Sequence, residues 1–390
     1  MALATALTVL PALLSQAVGK SVGDESAVPD PISALFTRLP ENLDGWQPEG
    51  MDGAIAIQML PAVGREDLAS RFGRPRGRPC PTLPGDPIPS LADAAREAQV
   101  VIVSEAHDQP LHRQVIGELG LALADEFDWF AAETFVHEAV ADRKAGRIPM
   151  ALGSYSDEPM FGRELRALDA AGYHFVAYEI LPHQSAPEDA NTAEQVIARE
   201  EAQAENLIAG VLDEHPDARI LVHVGYSHAL EAPVNNFERE IEWFAARLKR
   251  KTGIDPLTVS QTHCSLPDAT AANALDGLRL ADGTAAVESV GAIDHFLAPP
   301  PLRFENGRPA WRRTIGDVEI PVPDIFRSEH DRVIIEAHAP EDPDDEVPVD
   351  RLLLYPGESL PLLLPQGQWR LTAWTGDGAV AAPVTINAGD

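Results

Sequence analysis

The 390-residue sequence predicts an α/β fold: a central, largely parallel sheet flanked by helices, followed by a small all-β module of sandwich type. Three observations predict it. Continuous apolar runs of strand length alternate with stretches of helical periodicity between residues 90 and 300, as parallel strands joined by crossover helices require. Polar residues able to do chemistry follow the apolar runs, as expected where strands end at one sheet edge. After Pro299-Pro300-Pro301 the helical periodicity stops and strand-like runs alternate with Pro/Gly turns.

Residues 1–17 read as a signal peptide: Ala2 to Leu14 is apolar, and Ser15-Gln16-Ala17 sets small residues at −3 and −1 of a cleavage site. No Lys or Arg precedes the run, which also ends too soon to span a bilayer. The reading is of an exported, periplasmic or extracellular chain. In such a compartment Cys80 and Cys264, the two cysteines present, are able to pair if the fold brings them together. Residues 18–89 are rich in Pro and Gly and read as irregular. Within them Arg71 to Pro79 is basic and reads as a solvated loop or an anion holder.

The α/β unit, 90–300, then follows. Ser90 to Ala98 is helical, and Gln99 to Ser104 is a strand buried on both faces. Leu111 to Glu126 is helical by the spacing of Val115, Ile116, Leu119 and Leu123. Trp129 to Thr134 is the second strand, Gly162 to Ala171 a helix and Tyr173 to Tyr178 the third strand. Thr192 and Gln195 read as a capping box opening a helix to about Glu214. Arg219 to Val224 is the fourth strand, Asn236 to Lys251 a helix, Leu257 to Gln261 the fifth strand, and Ala292 to Ala298 the last. From 315 to 390, Val333 to Ile335, Arg351 to Tyr355, Leu360 to Leu364 and Gln368 to Thr375 read as strands of the β module.

Charge narrows the function. Lys plus Arg is 30 against 61 for Asp plus Glu, a net −31, which disfavours nucleic acid and anionic membrane as partners. The 45% hydrophobic content is that of a globular chain with a substantial core, and two cysteines are too few for a multi-thiolate metal site.

Ligands bind outside the C-terminal ends of strands in such sheets. Glu105 and His107 follow the first strand, Glu133 the second, Glu179 the third and His228 the fourth. Carboxylates and imidazoles converging at a core rim suit metal ligation or acid–base catalysis. Arg199, Gln203 and Asn206 form a polar stripe on the long helix, and an inward Arg199 needs an anionic partner. His112 and Arg113, one turn into the first crossover helix, are placed to point at the same rim.

These residues also carry a resemblance. Val103 to His112, with Glu105, His107, Asp108, Pro110 and His112, is similar to the opening motif of the ChaN-like proteins of the haem-binding-uptake and Tiki superfamily, which includes erythromycin-esterase-like proteins. Ala132-Glu133-Thr134-Phe135, Arg199 to Leu207 and Val224 to Ala229 are similar to three further motifs of that family, in the same order across roughly residues 95 to 300. Ser104 stands where the family has glycine, and Gln203 where it has methionine. The β module lies outside the resemblance.

The resemblance implies two functions. One is a hydrolase of ester or peptide bonds, with His107 as general base, Glu105 and Glu133 orienting it, His228 as second imidazole and Arg199 stabilising an oxyanion. A divalent metal would then be held by His107, Glu133, His228 and Glu179. The second is non-covalent haem binding through Tyr226, Tyr178 or a histidine, with Arg113 among the propionate partners. Apart from the resemblance, the β module offers a third reading, a structural or interaction role that docks a protein or glycan partner. A small-molecule or peptide substrate at the rim is favoured, because so many acids and bases exceed what a haem pocket needs.

Overall fold

The computed structural model describes residues 28–73, 77–266 and 276–389. The segment read as a signal peptide, 1–17, lies outside the described residues, as does the middle of the basic run, 74–76.

The central sheet has seven strands: β1 (Val100–Glu105), β2 (Trp129–Ala132), β3 (His174–Ala177), β4 (Ile220–Gly225), β5 (Leu257–Ser260), β6 (Arg279–Ala281) and β7 (His295–Ala298). Their spatial order is β6-β7-β5-β1-β4-β2-β3, and all neighbours are parallel except β6 with β7. The Val-Val-Ile-Val run makes β1 central, with every residue buried. Helices α4 (Pro87–Ala95), α5 (Pro110–Leu123), α6 (His137–Asp142) and α7 (Pro159–Ala170) pack on one face; α8 (Thr192–Leu207) and α9 (Phe244–Thr252) pack on the other. The polar edge therefore sits between two apolar layers, where water is scarce.

Four details differ from the sequence expectation. The capping box of α8 is one residue earlier: Asn191 Oδ1 accepts from the Glu194 amide, and Glu194 returns the bond to the Asn191 amide. The helix ends at Leu207 and continues as one π-helical turn, Ile208–Leu212. The start of the helix expected over 236–251 is instead a β-hairpin, Val234–Asn236 with Arg239–Ile241, turned by Phe237 and Glu238 at positive φ. Here turn geometry overrides an apolar spacing that fits a helix equally well. And residues expected to be irregular hold three helices: α1 (Asp30–Arg38), α2 (Gly50–Met59) and α3 (Glu66–Phe72). Each is ten residues or fewer and lies among prolines and glycines, so each offers only a short window for a helical period.

These helices are stabilised by distant partners. Ile32, Leu35, Phe36, Leu60, Val63 and Leu68 form one core with Ile334, Leu353, Tyr355 and Trp374. The latter belong to, or border, the C-terminal antiparallel sheet of β8 (Val333–His338), β9 (Asp350–Leu354), β10 (Gly367–Thr375), β11 (Gly378–Ala379) and β12 (Val384–Ala388). One face of that sheet is thus covered by the chain's own N-terminal helices. Ion pairs join it to the α/β unit: the partly buried Arg163 of α7 meets Asp317 at 2.8 Å, and the buried Arg312 meets both Asp317 and Asp350.

Cys80 and Cys264 form a disulfide with Cα atoms 5.5 Å apart and 184 positions between them. A bridge of this kind stabilises by restricting the unfolded chain, typically by about 2–4 kcal/mol. Replacing both cysteines with alanine should lower the urea-unfolding free energy by that amount; a change under about 0.5 kcal/mol would show that the bridge does not form in solution.

Candidate active site at the sheet edge

The C-terminal ends of β1, β2 and β4 bring Glu105, Glu133 and Gly225 side by side. Glu105 is fully buried and takes two hydrogen bonds from Arg113, at 2.8 and 3.0 Å, and one from His107 Nδ1 at 2.9 Å. His223 Nε2 lies 3.2 Å from its other side. Burial pushes this carboxyl up, but Arg113, His223 and His107 outweigh it and hold it well below the usual carboxylate range. Glu105 is therefore an anion fixed inside the protein.

His107 sits on top of it. Its side chain keeps 13% exposure, and its Nε2 lies 3.6 Å from Glu133 Oε1. The ring is flanked by Tyr155 at 4.4 Å and edge-on by Tyr226 at 4.9 Å between centroids. Glycine at 225 is required by this approach: a Cβ there would stand 2.5 Å from His107 Cε1 and 2.7 Å from Glu133 Oε1.

Glu133 accepts from the Tyr155 hydroxyl at 2.8 Å, and its Oε2 lies 3.2 Å from His228 Nε2 and 3.9 Å from Arg199 Nη2. Burial pushes it up, and the charges of His228, Arg199 and His107 with the Tyr155 hydrogen bond bring it down to about 2. His228 Nδ1 meets the buried Glu200 at 2.8 Å. Burial lowers this imidazolium, yet Glu200 and Glu133 outweigh it and raise it. The inward Arg199 of α8 forks onto Glu179 with Nε and Nη2, and Gln203 of the same stripe donates to Glu179 at 3.2 Å. Asn206 donates to the Glu179 carbonyl.

Neither a family model nor a curated protein matches the sequence. Some solved structures are slightly similar. The type III effector HopBA1 is 14% identical, matching 56% of this chain and 95% of its own, with a TM-score of 0.33. ChaN of Campylobacter jejuni, described with cofacially bound haem, is 9% identical over 54% of this chain and 91% of its own, at 0.34. RRSP, a MARTX toxin effector domain from Vibrio vulnificus CMCP6, is 14% identical over 46% and 36%, at 0.30. Likeness at this level bears on neither substrate nor cofactor.

The residues themselves test the two cofactor readings. Among the described residues no group of three or more His, Cys, Asp or Glu side chains is arranged to hold a metal. The expected set of His107, Glu133, His228 and Glu179 does not close around a cation, because the Arg199 guanidinium lies between Glu179 and Glu133. Both nitrogens of His228 are already engaged, Nδ1 by Glu200 at 2.8 Å and Nε2 by Arg199 and Glu133 at 3.2 Å. Two of the three residues expected to bind haem do not fit it. Tyr178 is fully buried in the core, stacked on Phe244 at 5.0 Å. Arg113 is buried and committed to Glu105 and Glu158, which leaves no face for a propionate. Tyr226 alone of the three lies at the rim, where its hydroxyl meets Gln58 of α2 at 3.4 Å.

The site also holds residues that sequence reasoning missed. His223, mid-strand in β4, lies between Glu105 and Glu164, with Nδ1 3.1 Å from Glu164. Its signal was a lone imidazole in an otherwise apolar run. Glu158 caps α7 through the Met160 and Phe161 amides while receiving Arg113 at 2.7 Å. Tyr155 comes from a loop without a sequence pattern.

Burial pushes the His223 imidazolium down, but Glu164 and Glu105 outweigh it and push it up to about 10. Its stabilising contribution is complete below its ordinary value of 6.5 and is lost as pH rises towards about 10. Glu133 contributes in the opposite sense, above 4.5, and is lost as pH falls towards about 2. Thermal midpoints should therefore fall between pH 6.5 and 10, and His223→Gln should flatten that limb. Equal slopes in the two proteins would contradict the pairing.

Proposed function

We propose that this protein is an exported hydrolase of ester or peptide bonds, with His107 as general base. The observation that carries the reading is the Glu105–His107 pair. A buried, ionised carboxylate accepts from Nδ1, which fixes the tautomer and leaves Nε2 to take a proton. His107 is also the more exposed of the two histidines at the rim; His228 is closed in by Glu200, Glu133 and Trp243.

In this reading a water molecule gives its proton to Nε2 as its oxygen attacks the carbonyl carbon. The proton then passes to the leaving alcohol or amine. Glu105 and Glu133 stabilise the imidazolium that forms between them. Arg199 supplies positive charge beside Glu133, where the developing oxyanion gains most from a dry, preorganised site. The disulfide supports export, since such bridges persist in oxidising compartments. Among the described residues no helix is long and apolar enough to cross a membrane.

The test is turnover by the native protein on a panel of esters and peptides, with and without a chelator. Hydrolysis that survives chelation is expected. Silence across the panel, or a Soret band on titration with haemin, would overturn the reading.

A further inference from the structure

Tyr155 touches both halves of the site. Its hydroxyl donates to Glu133 Oε1 at 2.8 Å, and its ring lies 4.4 Å from that of His107. Glu133 Oε1 is the same oxygen that faces His107 Nε2 at 3.6 Å, beyond hydrogen-bond reach. One carboxylate oxygen therefore has two suitors, and the phenol holds it.

The loop is built to keep it so. The Tyr155 amide donates to Thr134 Oγ1 at 3.1 Å, and the Ser154 amide donates to the Thr134 carbonyl at 3.2 Å. The Thr134 and Ser154 hydroxyls bond each other at 3.0 Å. Gly153 bridges to Phe135, and a Cβ there would stand 2.5 Å from the Thr134 carbonyl oxygen. The residues after Glu133 and those before Tyr155 are thus fastened together, so the two side chains meet at a fixed distance. Burial and the charge of Glu133 push the phenol well above its ordinary range, which keeps it a donor.

We infer that Tyr155 is a positioning residue whose hydroxyl holds Glu133 Oε1 off His107 Nε2 and so keeps Nε2 open to accept a proton. The inference rests on the His107 reading above. Without the hydroxyl, Oε1 closes on Nε2 and fixes a proton there, with a carboxylate then bonded to each ring nitrogen.

The experiment measures carbethoxylation of His107 by diethyl pyrocarbonate, quantified by peptide mass spectrometry with the exposed His330 as internal reference. Tyr155→Phe keeps the ring and removes the hydroxyl. It should slow modification of His107 about 5–10-fold, the equivalent of one hydrogen bond, with His330 unchanged. Adding Glu133→Ala should restore at least the native rate, because no carboxylate then remains to close on Nε2. Where the native protein turns over a substrate, Tyr155→Phe should lower kcat and leave KM near its native value. An unchanged or faster His107 rate in Tyr155→Phe overturns the inference, as does a double variant as slow as the single one. These rates are read without turnover, so a silent substrate panel would sink the hydrolase reading while still deciding the role of Tyr155.

Discussion

Replacing His107 with alanine should lower turnover of any substrate found by about 10²–10⁴-fold, the range for a removed general base. The fold should barely notice. His107 is partly exposed and contributes one hydrogen bond to Glu105, which keeps Arg113 and His223. The expected stability loss is about 1 kcal/mol. Asparagine restores a donor near Nδ1 but no base, so His107→Asn should recover stability and not activity. Parallel losses of activity and stability would instead mark His107 as a structural residue. Initial rates beside urea-unfolding curves on the same preparations separate the two outcomes.

Arg113→Leu should be strongly destabilising. The guanidinium donates to Glu105 at both oxygens, to Glu158 at 2.7 Å and to the His107 carbonyl at 3.0 Å. Leucine fills much of the volume but leaves two buried carboxylates without that cation. Breaking a buried ion pair from one side costs about 3–5 kcal/mol. Glu105 would keep His223, and Glu158 would keep its cap bonds to Met160 and Phe161, which sets the loss within that range rather than above it. Lysine carries the charge but cannot fork, so Arg113→Lys should recover less than half of the loss. A loss below about 1 kcal/mol for Arg113→Leu would mean that the carboxylates protonate or rehydrate at little cost.

The parallel strands and the edge they share were legible because each apolar run stops at a polar residue. Glu105, Glu133, Glu179 and His228 were found that way, and Arg199 by its inward place on α8. What stayed hidden has physical causes. Tyr155 and Glu158 come from a loop held by long-range bonds to Thr134 and Arg113, and a loop has no period to read. His223 points inward from a strand whose other residues are apolar, so it reads as a tolerated exception until Glu164 is seen beside it. Tyr178 is the opposite case. It follows β3 as Glu179 does, but successive residues of an extended chain face opposite ways, and it turns into the core. Helices α1 to α3 depend on a sheet roughly 300 positions away, which no local window contains.

That last dependence sets a timetable. Arg332 donates to the Leu39 carbonyl across 293 positions, and Arg65 reaches Glu358 across the same span. Helices α1 to α3 therefore wait for strands made about 290 residues later before they have that core to fold against. Chains with such distant contacts fold slowly, and their early segments stay unburied meanwhile. Until those strands are made, the apolar faces of α1 to α3 stay open to water and to other chains.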